Sequence, residues 1–142
     1  MKKAALLSIA LLGLAACSQG VTTMVDRSQS PCGDKPNCVS TQDTREEYNL
    51  TPFTLTESAN IDAVEQAALE LPGAKTAVKE GNYLRIECTS KIMRFVDDLE
   101  LKIEGDQLIV RSESRVGYSD LGVNRKRAVE LRELLKINNL IE

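Results

Sequence analysis

The chain has 142 residues, 18 of them basic and 21 acidic, with no histidine, no tryptophan and a formal net charge of −3. An acidic balance gives no electrostatic footing for nucleic acid. The lack of histidine removes the commonest metal ligand and the usual activating base of serine and cysteine nucleophiles.

Lys2 and Lys3, an apolar run from Ala4 to Leu12, and Leu14-Ala15-Ala16-Cys17 together read as a secretory signal peptide over residues 1–16. The apolar run is far short of the roughly 20 residues that a membrane-spanning helix needs. Small residues ahead of a cysteine resemble the lipobox of bacterial lipoproteins, which makes Cys17 the lipidated first residue of the mature protein. Ser18 stands where an aspartate would favour inner-membrane retention, so the periplasmic face of the outer membrane is preferred over the inner membrane. Loss of residues 1–16 leaves 126 residues with 16 basic and 21 acidic side chains, a net of −5. That is enough for one domain with one modest core. Residues 17–30 are polar and aperiodic and read as a flexible tether, with a single domain over 31–142.

Pro31 to Cys38 is rich in turn residues and holds Cys32 and Cys38 six positions apart. In an oxidising envelope a local disulfide is the default reading. A redox motif would want Cys-x-x-Cys, and a zinc site would want four ligands where only three cysteines remain after Cys17. Val39 to Glu47 reads as polar connection, and Leu50 to Leu55 as a short edge strand limited by Pro52. With Ser58 or Asn60 as N-cap, the helical spacing of Ile61, Val64, Ala67, Ala68 and Leu71 predicts an amphipathic helix stopped by Pro72-Gly73. Alternation before and after Glu80-Gly81-Asn82 predicts a hairpin with Leu84, Ile86 and Cys88 facing the core. Cys88 reads as a small buried hydrophobe.

The stretch from Phe95 to Ser114 predicts a second hairpin turning at Gly105-Asp106. Alternation puts Phe95, Asp97, Leu99, Leu101 and Ile103 on one face, paired through Ile103–Leu108, Leu101–Val110, Leu99–Ser112 and Asp97–Ser114. The opposite face carries Asp98, Glu100, Arg111 and Glu113 and reads as solvated, with an exposed Glu100–Arg111 cross-strand pair. After a loop from Gly117, Asn124 reads as the N-cap of a last helix built on Ala128, Leu131, Leu134 and Leu135. The fold class that results is α+β: a two-layer sandwich of about four antiparallel strands, in two hairpins, with two amphipathic helices.

CGDKPNCVS at Cys32 to Ser40, FVDDLEL at Phe95 to Leu101 and VRSESRVGYSDLGVNRKR at Val110 to Arg127 resemble the family called domain of unknown function 1499. The resemblance implies a bacterial-envelope or plastid relative of unassigned activity, and so adds a domain boundary without a reaction.

Asp97 and Asp98 suggest a carboxylate dyad, but adjacent strand residues point to opposite faces and cannot flank one bond. The inward face of the second hairpin grows polar away from its turn, and there Asp97, Ser112, Ser114, Arg115, Tyr118, Asp120, Asn124, Arg125 and Arg127 form a candidate binding or structural network. Arg125, Lys126 and Arg127 sit in the first turn of the helix, where the helix dipole opposes cations and a compensating anion is needed. The reading is a lipid-anchored binding or assembly module with no cofactor and no metal. Its partners are the membrane through the lipid, and an envelope protein or small anionic ligand, not nucleic acid. The alternative is a metal-independent enzyme using Asp97 as acid or base beside Arg125 or Arg127.

Overall fold

The computed structural model describes residues 25–142, so the signal peptide, Cys17 and the tether up to residue 24 lie outside the described residues. The elements run β1 (Cys38–Ser40), β2 (Phe53–Thr54), α1 (Ile61–Ala68), β3 (Ala74–Glu80), β4 (Tyr83–Thr89), β5 (Val96–Glu104), β6 (Gln107–Ser114) and α2 (Val123–Ile137). The six strands make one antiparallel sheet ordered β1-β6-β5-β4-β3, with β2 also on the free edge of β6. Two helices and a mixed α+β architecture are as expected; the strand number is higher than four. β2 falls within the edge strand expected over Leu50 to Leu55, whereas β1 was not expected; the two are two and three residues long, and both borrow the open edge of β6 instead of forming hairpins. Val39 therefore belongs to a strand rather than to a polar connection.

The central hairpin has the predicted register. Ile103 faces Leu108, Leu101 faces Val110, Leu99 faces Ser112, Asp97 faces Ser114 and Glu100 faces Arg111. Phe95 lies just before β5 and is 48 % exposed, so it is not a core residue. On the apolar face Leu84, Ile86, Leu99, Leu101, Leu108 and Val110 pack with Val64, Ala67 and Ala68 of α1 and Ala128, Leu131 and Leu135 of α2. Asn60 caps α1, its Oδ1 accepting from the Ala63 amide at 2.9 Å. Gly73 ends the connection with φ +68°, and a Cβ there would lie 2.1 Å from the Thr89 carbonyl oxygen. Only glycine lets this turn close onto β4.

The other face is not solvated. Asp98, Glu100 and Arg111 are 3 %, 1 % and 3 % exposed; Asp26 to Ser30 bind over Glu100 and Arg111, and arginine side chains cover Asp98. The Arg27 amide donates to Glu100 Oε1 at 2.8 Å, Tyr83 Oη donates to the same oxygen at 2.9 Å, and Arg111 Nε donates to the Ser30 carbonyl at 3.1 Å. Asp98 is held by Arg115 at 2.7 and 2.8 Å and by Arg85 at 3.4 Å. Ser28 is fully buried. Among the described residues, packing thus reaches back to Asp26, within the stretch read as tether. Charged residues of β5 and β6 supply partners for backbone groups that an apolar strand could not hold.

Cys32 and Cys38 form a disulfide, and Asp43 fixes the loop that it closes. Asp43 accepts from the Cys32 amide at 2.9 Å and from two nitrogens of Arg45, at 3.0 and 2.8 Å, while Arg45 also donates to the Cys32 carbonyl at 2.6 Å. The Arg45 hydrogen bonds hold the Asp43 carboxyl well below the usual carboxylate range.

Removing Glu100 takes the acceptor from the Arg27 amide and the Tyr83 hydroxyl and leaves Arg111, which Glu100 approaches at 3.6 Å, to its pair with Glu113 at 2.7 Å. Glu100→Ala should therefore cost about 2–5 kcal/mol, since each donor left without its acceptor costs about 1–3 kcal/mol, comparable with about 2–5 kcal/mol for Leu101→Ala. Denaturant melts of the two variants measure this. A loss below about 1 kcal/mol for Glu100→Ala would return the pair to the surface class.

Candidate functional site

Away from the Gly105 turn, the inward face of β5 and β6 passes from leucine and valine to Ser112, Asp97 and Ser114, and the first turn of α2 crosses this polar end. Asn124 is fully buried there. Its Oδ1 accepts from Ser112 Oγ at 2.6 Å and from Arg127 at 2.7 Å, while its Nδ2 donates to the Asn37 carbonyl at 3.1 Å and to Ser114 Oγ and Asp120 Oδ2, both at 2.8 Å. A buried amide with both ends occupied costs little. It also ties the disulfide loop, β6 and α2 together.

Asn124 is not the N-cap. The helix follows Gly122, whose φ of +83° is a left-handed turn, and Asp120 does the capping: its oxygens accept from the amides of Gly122 at 2.8 Å and Asn124 at 3.0 Å. A carboxylate there both satisfies free amides and offsets the dipole.

Asp97 is 7 % exposed. Arg127 donates to its Oδ2 at 2.7 Å and, from its other terminal nitrogen, to Ser112 Oγ at 3.0 Å and Asn124 Oδ1. The contact is single rather than forked, and Oδ1 of Asp97 accepts no hydrogen bond among the described residues. Cys88, opposite Asp97 on β4, is free and buried, and burial pushes its thiol up to about 11. It is a protonated, poorly nucleophilic group at neutral pH.

The predicted site residues thus separate into four places. Asp97, Ser112, Ser114, Asp120, Asn124 and Arg127 form one network. Arg115 lies on the opposite face, bound to Asp98 and to Glu87 at 2.6 Å. Arg125 turns away to the carbonyls of Asn49 at 2.9 Å and Glu47 at 3.0 Å, and Tyr118 is 70 % exposed without a contact to Asp97. Asp97 and Asp98 point to opposite faces, so no dyad forms.

Two cavities flank the Asp97–Arg127 pair. One, of about 470 Å³, is lined by Gly73, Cys88, Thr89, Lys91, Arg94, Lys126, Arg127 and Glu130 among others. The second, of about 370 Å³, is lined by Phe95, Asp97, Ser114, Val116, Leu121 and Val123 among others. Both fall in the size range of small-molecule sites. Lys91, Arg94 and Lys126 form no ion pair among the described residues, and Glu130 is the carboxylate that faces them. Sequence reasoning passed over Lys91 and Arg94; the signal was a run of cations interleaved with apolar residues, Lys-Ile-Met-Arg-Phe, between two strands. Among the described residues no three acidic or cysteine side chains converge as metal ligands.

A family model described as protein of unknown function (DUF1499) matches residues 29–135. No curated protein and no solved structure matches the chain.

Asp97→Ala and Arg127→Ala should each destabilise by about 3–5 kcal/mol, since each strands a largely buried charge. The double variant should lose about 0.5–3 kcal/mol less than the sum of the singles. Chemical denaturation of the four proteins checks this, and strictly additive losses would mean the pair is not coupled.

Proposed function

The chain belongs to the DUF1499 family, and we propose that this member is a lipid-anchored protein of the bacterial cell envelope that binds a small anionic ligand and performs no chemistry on it. The observation that carries the ligand reading is the cavity beside Arg127. Three cations, Lys91, Arg94 and Lys126, line it against one carboxylate, Glu130, in a chain whose net charge is −3. Cations gathered at one place repel one another and favour an anion between them. Arg127 adds orientation, because Asp97 fixes its guanidinium at the cavity wall.

The Asp97 network supports a scaffold role rather than proton transfer. Asp97 is engaged by Arg127, Cys88 is protonated, and Arg125, the other arginine that could have stood beside Asp97, is directed to the carbonyls of residues 47 and 49. The envelope reading rests on the signal-peptide pattern, the small residues before Cys17 and the Cys32–Cys38 disulfide, which suits an oxidising compartment. No helix among the described residues is long and apolar enough to cross a membrane; the attachment proposed is the lipid on Cys17. The position of Ser18 favours the outer membrane.

Mass spectrometry of the protein purified from membranes should show a chain beginning at an acylated Cys17. A Cys17→Ser variant that is processed and fractionates with membranes unchanged would refute the anchor.

Titration with inorganic phosphate, followed by amide chemical shifts, should give saturable changes at Thr89, Lys91 and Lys126. Arg94→Glu combined with Lys126→Glu should weaken them at least about tenfold, the equivalent of about 1.4 kcal/mol. Shifts that do not saturate, or that persist in the double variant, would overturn the ligand reading.

A further inference from the structure

Large apolar side chains left in water are ordinarily scattered singly over a surface. Here they gather. Ile92, Met93 and Phe95, in the loop from β4 to β5, are 87 %, 65 % and 48 % exposed; Val116, Tyr118 and Leu121, between β6 and α2, are 53 %, 70 % and 94 % exposed. The two loops share one end of the sheet, since the Arg115 amide donates to the Val96 carbonyl at 3.4 Å and Asp97 pairs with Ser114. Lys91, Arg94 and Lys126 stand among them. The acidic residues of the hairpin turns, Glu80, Glu104 and Asp106, lie at the opposite end.

We propose that this loop end rests on the surface of an anionic lipid bilayer, with the apolar tips in the head-group region and the cations against lipid phosphates. Side chains this exposed stand off the body of the domain, which suits a deformable interface. Lysine and arginine interleaved with aliphatic and aromatic residues is the composition of interfacial segments. The sign of the charge fits an anionic leaflet, and the acidic turns at the far end orient the domain the same way.

Reach permits it. Asp26 is bound to Lys102 at 2.9 Å, five residues along β5 from Asp97, which is about 17 Å at the rise of a strand. Residues 17 to 25 can span at most about 30 Å, so a lipid on Cys17 and the loop tips can meet one bilayer. This last step rests on the Cys17 anchor, and at Lys91, Arg94 and Lys126 the lipid phosphate takes the place that a small anion takes in the proposed function.

The chain contains no tryptophan, so single tryptophans report position cleanly. Full-length protein extracted from membranes, carrying Ile92→Trp, Tyr118→Trp or Ile137→Trp, would be reconstituted into phosphatidylcholine vesicles with and without phosphatidylglycerol. Ile137 is 75 % exposed at the far end of α2. Brominated lipid should quench tryptophan at positions 92 and 118 at least twofold more than at 137, with a blue shift. In phosphatidylglycerol vesicles Lys91→Glu with Lys126→Glu should bring the first two down to the level of the third. Flotation with the vesicles reports the anchor separately. Flotation with equal quenching at all three positions would overturn the proposal and leave the anchor standing, and absence of flotation would overturn both. A concentration-dependent blue shift at 92 and 118 without vesicles would indicate a second copy of the chain and likewise overturn it.

Discussion

A carboxylate removed from water has to be met by a cation or by amide donors, and β5 carries three of them into buried positions, Asp97, Asp98 and Glu100. Strand alternation sends the first to one face and the other two to the opposite one. Each recruits a different part of the chain. Asp97 takes Arg127 and so fixes where α2 begins across the sheet; Asp98 takes Arg115 from the end of β6; Glu100 takes the amide of Arg27 and draws the segment before the disulfide onto the sheet. Leucine at these positions would bury apolar area equally well and specify none of these partners. The hydrophobic layer drives collapse; the charged positions select which remote segments close over it.

This division explains what could be read from the sequence. Register, both hairpins and both helices follow from local periodicity: Leu99, Leu101, Leu108 and Val110 mark one face of the central pair, and Ile61, Val64, Ala67 and Ala68 mark one face of α1. A covering segment leaves no such mark. Asp26 to Ser30 are polar and aperiodic because their role is to donate and accept hydrogen bonds, which is also the composition of a tether. For the same reason a charged strand face, normally solvated, concealed a buried one. Strand β1 was illegible because three residues show no period and their pairing depends on Cys38 being held by Cys32. In the site, the phase of Asp97 with Ser112 and Ser114 was legible. The sides taken by Arg115 and Arg125 were not, since a long side chain chooses its partner in three dimensions.

The start of α2 separates structural demand from surplus. Three consecutive cations occupy a helix N-terminus, where each is disfavoured by up to about 1 kcal/mol in the absence of an anion. Asp120 offsets part of that field from the capping position. Arg127 recovers its cost through Asp97, and Arg125 recovers its own through the carbonyls of residues 47 and 49, stapling the loop after β1 to the helix. Both belong to the fold. Lys126 recovers nothing among the described residues, and it faces the same cavity as Lys91 and Arg94. Sites where local preference is violated without internal compensation are where a function is expected to hold the residue in place. By that reasoning the cations to be explained from outside the molecule are Lys91, Arg94 and Lys126, whereas Asp97 and Arg127, for all their central position, form the frame that holds those cations on one wall.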